Sequence, residues 1–135
     1  MVEYKGIYRD YLYFVVFFED YGYYRCGYVA VPENHPYYGR DCDKLPIRCH
    51  GGLTFGQVCT MKYINEPEHY WIGFDCDHYG DGPDLNKLNE LKIKPNYNFI
   101  HKSYPPVTLD ECISNCRSII DQLIKAEKED VYEIS

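Results

Sequence analysis

Three side chains able to move a proton or hold a cation stand beside glycines in two short stretches of this sequence. They are His50 in His50-Gly51-Gly52-Leu53-Thr54-Phe55, and Asp75 and His78 in Trp71-Ile72-Gly73-Phe74-Asp75-Cys76-Asp77-His78-Tyr79-Gly80-Asp81. An imidazole beside a carboxylate is the usual pair for general acid–base work, the carboxylate orienting the ring. An enzyme built on this chain would therefore use His50, Asp75 and His78. The same residues, completed by Asp81 or His35, are also of the ligand types that hold zinc, iron or manganese. No HxH or HExxH pair fixes two ligands on one element, so neither a metal nor a cofactor is expected. Cys76 is a poor nucleophile candidate, because Asp75 and Asp77 flank it and their charges disfavour a thiolate.

A binding site asks for less. Gly51 and Gly52 expose backbone N–H groups, Thr54 adds a hydroxyl, and Phe55, Trp71, Phe74 and Tyr79 offer flat faces. Arg25, Arg40 or Arg48 could meet an anion. A ligand with a stackable ring, a diol and phosphates suits such a set. The expected contact residues are His35, His50, Gly51, Gly52, Thr54, Phe55, Trp71, Phe74, Asp75, His78 and Asp81. The plainer alternative is that the glycines only make turns and the Asp and His side chains satisfy loop backbone.

The elements that must position these residues are mostly strands. Tyr11–Phe18 is a run of β-branched and aromatic residues and reads as a buried strand. Glu19-Asp20-Tyr21-Gly22 turns the chain into a second strand over Tyr23–Val31, ended by Pro32, and the short connection predicts an antiparallel hairpin. Pro32, Pro36, Gly39 and Pro46 punctuate a long loop to Arg48, of a length that often makes a lid or binding segment. Gly56–Tyr63 reads as a short strand or helical turn, and His69–Phe74 as a strand that delivers Asp75 and His78 at its C-terminal end. Asp84–Lys94 has weak helical character before a stretch broken by Pro and Asn that runs to Pro106.

Thr108-Leu109-Asp110-Glu111 has the spacing of a capping box and predicts a helix start. Leu109, Cys112, Ile113, Cys116, Ile119, Ile120, Leu123 and Ile124 recur at three and four and form one apolar stripe to pack on the sheet. Lys125–Asp130 reads as a solvated segment that frays. The fold expected is α+β, a single domain over residues 1–135: a mainly antiparallel sheet with long loops and a C-terminal amphipathic helix packed on it.

A chain of 135 residues buries roughly two thirds of its unfolded surface, enough for one core. The net charge of −7 disfavours a long nucleic acid as partner, since phosphate-backbone affinity needs clustered Lys and Arg. The sequence holds no apolar run of the ~20 residues that span a bilayer, and Met1-Val2-Glu3-Tyr4-Lys5 lacks the layout of a signal peptide. A cytoplasmic location without membrane contact is expected. Seven cysteines would suggest disulfides in a secreted chain, but the odd count and scattered spacing argue otherwise, and no CxxC pair supports a zinc ribbon. Cys112 and Cys116 fit a helix as small apolar core residues.

Gly27-Tyr28-Val29-Ala30-Val31-Pro32, His35-Pro36-Tyr37-Tyr38-Gly39, His50-Gly51-Gly52-Leu53-Thr54 and Gly73-Phe74-Asp75-Cys76-Asp77-His78-Tyr79-Gly80-Asp81, in that order, resemble a family of small proteins common in phage and prophage genomes. The resemblance covers about residues 26 to 82. Asp77 departs from it, standing where a small residue is expected and adding negative charge. The resemblance implies an accessory protein of an infected bacterial host cell. By analogy with phage proteins that neutralise the nucleotide signals of bacterial immunity, the expected function is capture of a cyclic ADP-ribose-like or cyclic dinucleotide molecule by a homo-oligomer. The alternatives are a hydrolase or phosphodiesterase that cleaves such a signal, and a module that binds a host protein.

Overall fold

The computed structural model describes residues 1–20, 22–96 and 104–134. Five antiparallel strands make one sheet: β1 Val2–Tyr8, β2 Tyr11–Phe17, β3 Arg25–Val31, β4 Phe55–Cys59 and β5 His69–Asp75, in the order β1-β2-β3-β5-β4. A short helix, α1 Leu85–Glu90, precedes the long C-terminal helix α2 Leu109–Ile134. The fold is thus the α+β arrangement expected. The β2–β3 hairpin forms with Tyr13 opposite Val29 and Phe17 opposite Arg25; Tyr21 of its turn lies outside the described residues. Strand β1 has no counterpart in the sequence reading. It joins β2 through Arg9 and Asp10, both at positive φ (50° and 71°), with Tyr8 opposite Tyr11.

Alternation along the strands sorts the core into two layers. Tyr13, Val15, Val29, Val31, Tyr70, Ile72 and Phe74 face α2, where Cys112, Cys116, Ile119, Ile120 and Leu123 are completely buried. Each buried Ile or Leu of that stripe contributes about 1.5–3 kcal/mol of transfer free energy. The other sheet face carries Phe14, Val16, Tyr28 and Trp71 under Met61, Tyr63 and Ile64. There Phe14 stacks on Tyr28 at 5.1 Å and meets Trp71 edge-on at 5.2 Å between ring centroids, a favoured aromatic geometry.

Helix α2 starts where expected, with the Thr108 hydroxyl accepting from the Glu111 N–H at 3.2 Å. The reciprocal half of the cap differs, because Glu111 Oε1 accepts from the Thr108 hydroxyl rather than its backbone N–H. Helix α2 runs on through Lys125–Asp130 to Ile134. Side chains of opposite sign on successive turns support it, Lys125 and Glu129 pairing at 3.9 Å. The helix expected within Asp84–Lys94 is the single turn and a half of α1, capped by the Asp84 carboxylate, which accepts from the Lys87 N–H at 3.0 Å. Of the irregular stretch running to Pro106, residues 97–103 lie outside the described residues.

The long loop after β3 packs instead of standing free. Leu45 and Ile47 enter the helix-side core, and Cys42–Lys44 makes one 3-10 turn. Tyr70 donates its hydroxyl proton to the Arg40 carbonyl, fastening the loop to β5.

Candidate functional site

The two motifs meet at one corner of the molecule because each becomes a tight turn beside the end of β5. In the first, Gly52 N–H donates to Cys49 O at 3.0 Å, with His50 and Gly51 as the central pair. Gly51 sits at φ +67°, where a side chain is strained, and a β-carbon there would lie 2.3 Å from the His78 ring. In the second, Asp81 N–H donates to His78 O at 2.9 Å, and Asp77 N–H donates to the Asp75 carboxylate at 3.1 Å.

Helix α2 holds the first turn in place. Asn115 Oδ1 accepts from the His50 backbone N–H at 2.8 Å. Two helical turns later, Gln122 accepts from Arg48 N–H at 2.8 Å and donates to Arg48 O at 2.7 Å. A spacing of seven puts both amides on one side of the helix, so residues 48–50 lie along it as an extended segment. Sequence reasoning missed Asn115 and Gln122. Polar residues outside an apolar stripe carry no local signal that separates a clamp from a solvated surface.

At the corner, His50 Nε2 stands 2.8 and 2.9 Å from the two Asp81 oxygens. Asp81 also accepts from the His78 backbone N–H at 3.1 Å, and its side chain keeps only 8% of its surface exposed. His78 Nδ1 lies 3.4 Å from Asp75 Oδ1 and 3.8 Å from Asp81 Oδ2. The two imidazole rings are 6.0 Å apart and nearly perpendicular, and each is about one third exposed. One nitrogen of each ring and one Asp81 oxygen lie within 4.8 Å of one another. The result is a half-open centre of two imidazoles and two carboxylates.

Other expected contact residues are placed elsewhere. His35 is buried, accepting from Tyr37 N–H at Nδ1 (2.9 Å) and bonding Leu123 O through Nε2 (2.7 Å), so the Nε2 proton is the one donated and the ring ties the long loop to α2. Trp71 and Phe74 are corrected as ligand faces: they are 0% and 1% exposed, on opposite sides of the sheet, because β5 is an inner strand covered on both faces. Phe55 joins the aromatic layer, edge-on to Tyr28 at 5.5 Å. Thr54 is exposed and its N–H extends the sheet by donating to Gly73 O at 2.9 Å. Gly52 leaves open space where a β-carbon would stand. Tyr79, next to His78, is 86% exposed, with Tyr104 at 5.7 Å.

Arg25 is buried and committed to Glu3 (2.5 Å), Asp84 (2.7 Å) and the Val107 carbonyl (2.9 Å), so it does not serve an anion at this corner. Cys76 lies beneath the centre, its sulfur 3.5 Å from that of Cys112. That hydrogen bond and burial push the Cys76 thiol far above its ordinary range, which leaves it unreactive. Burial likewise pushes Cys49 up to about 11 and Cys26 up to about 12.

Fold and site together define an α+β domain with a His–Asp centre at the C-terminal end of an inner strand. Known protein families, curated proteins and solved structures offer no significant match to this chain. Among the described residues, no helix is long and apolar enough to cross a membrane.

Proposed function

We propose that this chain is a hydrolase of a small nucleotide-type molecule, acting at the centre formed by His50, Asp75, His78 and Asp81. The observation that carries the reading is the convergence of two partly exposed imidazoles, each beside a carboxylate, with ring centroids 6.0 Å apart. Hydrolysis of a phosphoester bonds a water oxygen to phosphorus, breaks the bond to the leaving oxygen, and passes the water's proton to that oxygen. A centre with two imidazoles can take up one proton and return another in that sequence. The nucleotide class follows from the resemblance to phage-borne proteins, and the exposed Tyr79 ring beside His78 offers a surface for a base.

Capture without cleavage is the second reading, and it is favoured by the same Tyr79 ring. It is weakened by the enclosure of Trp71 and Phe74, which removes two of the faces that would clasp a base. Incubating cyclic nucleotides in large excess over the protein separates the two. Conversion of the excess to a product of new mass supports hydrolysis. Loss of only a stoichiometric amount, returned intact when the protein is heat-denatured, supports capture.

A further inference from the structure

We propose that His50, His78 and Asp81 are three ligands of one divalent first-row transition-metal ion. This deepens the hydrolytic reading of the same centre by naming its cofactor, and it is tested by binding alone. The donor atoms already lie within 4.8 Å of one another. An ion at about 2.0–2.1 Å from each ligand needs separations of about 3.3 Å, which modest rotation of the two partly exposed rings supplies.

Three features favour an ion over a set of plain ion pairs. Asp81 is nearly buried, yet His50 Nε2, the His78 N–H and His78 Nδ1 all crowd round its carboxylate. His78 Nδ1 is buried without a hydrogen-bond partner, although Asp75 and Asp81 oxygens stand at 3.4 and 3.8 Å. A lone pair on that nitrogen aimed at a cation would settle the deficit. Finally, the ligands are held from behind: Asn115 fixes the His50 backbone, Gly51 packs flat on the His78 ring, and the Asp81 turn is closed by its own N–H. Such support is what a metal centre requires of its surroundings.

Two imidazoles and one carboxylate select zinc, cobalt, manganese or iron over calcium and magnesium, which take oxygen ligands. Three protein ligands leave positions for water and for one ligand oxygen. Bound water would then lose a proton near neutral pH and supply the attacking hydroxide, and this replaces proton transfer by the two rings, whose facing nitrogens are occupied once the ion is bound. Asp75 Oδ1, 3.4 Å from His78 Nδ1, stands where it can add an oxygen as a fourth ligand.

The test is titration of chelator-stripped protein with Co²⁺, followed by visible absorption. The expected result is saturation at one equivalent with a nitrogen–oxygen ligand spectrum. His50→Gln, His78→Gln and Asp81→Asn should each abolish it, and Asp41→Asn with Asp43→Asn, at the other carboxylate and thiol group, should leave it unchanged. A thiolate charge-transfer band, binding that survives both histidine substitutions, or no saturable binding overturns the proposal. If circular dichroism shows the variants unfolded, Mn²⁺ added to the unsubstituted protein reads the same contact. Selective broadening of the His50 and His78 ring proton resonances supports the site, and uniform or absent broadening overturns it. An ion bound without turnover leaves this inference standing and defeats the hydrolase, whereas turnover by protein that binds no ion does the reverse.

Discussion

Gly51 and His78, far apart in the sequence, are in such close contact that a β-carbon on Gly51 would stand 2.3 Å from the imidazole Cε1. The glycine at φ +67° both makes its turn and lets one half of the centre lie against the other. Gly51→Ala should therefore cost about 1–2 kcal/mol for the left-handed backbone and also displace the His78 ring. Gly52, at φ +82° with open space beyond it, isolates the first effect. Thermal unfolding should show the larger loss for Gly51→Ala, the difference from Gly52→Ala being the cost of moving the His78 ring, and turnover should fall steeply only for Gly51→Ala. Equal activities would mean that the contact with His78 does not matter to the chemistry.

His35 should behave as a structural histidine. Its two ring nitrogens are engaged by Tyr37 N–H and Leu123 O inside the protein. His35→Ala leaves the part-buried Tyr37 N–H without its acceptor and strips the Leu123 carbonyl of its second bond, at a cost of about 1–3 kcal/mol in all. The expected outcome is a clear drop in denaturation midpoint with kcat unchanged in the folded fraction. A loss of kcat with stability preserved would return His35 to the site.

The buried guanidinium of Arg25 answers to Glu3 and Asp84, whose side chains are 3% and 13% exposed. Arg25→Met should destabilise by about 3–5 kcal/mol, because two carboxylates lose their common partner. Urea denaturation measures this directly, and a change below 1 kcal/mol would show that solvent reaches the pair.

Much of the fold was legible because its signals are local and periodic. The continuous apolar and aromatic runs of β2, β3 and β5 and the eight-residue stripe of α2 are read from side chains alone. Strand β1 was not, for two reasons. Glu3, Lys5 and Gly6 blur its alternation, and the turn into β2 puts Arg9 and Asp10 at positive φ where Asn-Gly is the usual signal. At the site, the meeting of His50 with Asp81 and His78 was readable from residue type beside glycine. The fate of Trp71 and Phe74 was not, since both faces of an inner strand are buried and periodicity cannot then separate pocket from core. Asn115 is likewise invisible until the helix is set against the loop.

Thiol reactivity offers a check on the packing below the centre. The hydrogen bond to Cys112 and burial hold Cys76 far up its scale, and burial does the same for Cys116. Under native conditions iodoacetamide should label the half-buried Cys42 and Cys59 first and spare Cys76, Cys112 and Cys116. Peptide mass spectrometry reads the order. Early labelling of Cys76 would place it in contact with solvent, and a nucleophilic role would have to be reconsidered.

Tyr79 presents an exposed ring beside His78. If a base stacks on it, Tyr79→Ala should raise KM by the equivalent of about 1–3 kcal/mol and leave kcat nearly constant. An unchanged KM would move base recognition elsewhere.

The most direct measurement is mass spectrometry of cyclic nucleotides held in large excess over the native protein, with His50→Gln and His78→Gln run beside it. The account predicts steady conversion of the excess to a hydrolysed product by the native chain, gaining the mass of one water, and none by either variant. Nucleotide recovered unchanged, or conversion that proceeds equally without His50 and His78, would contradict it.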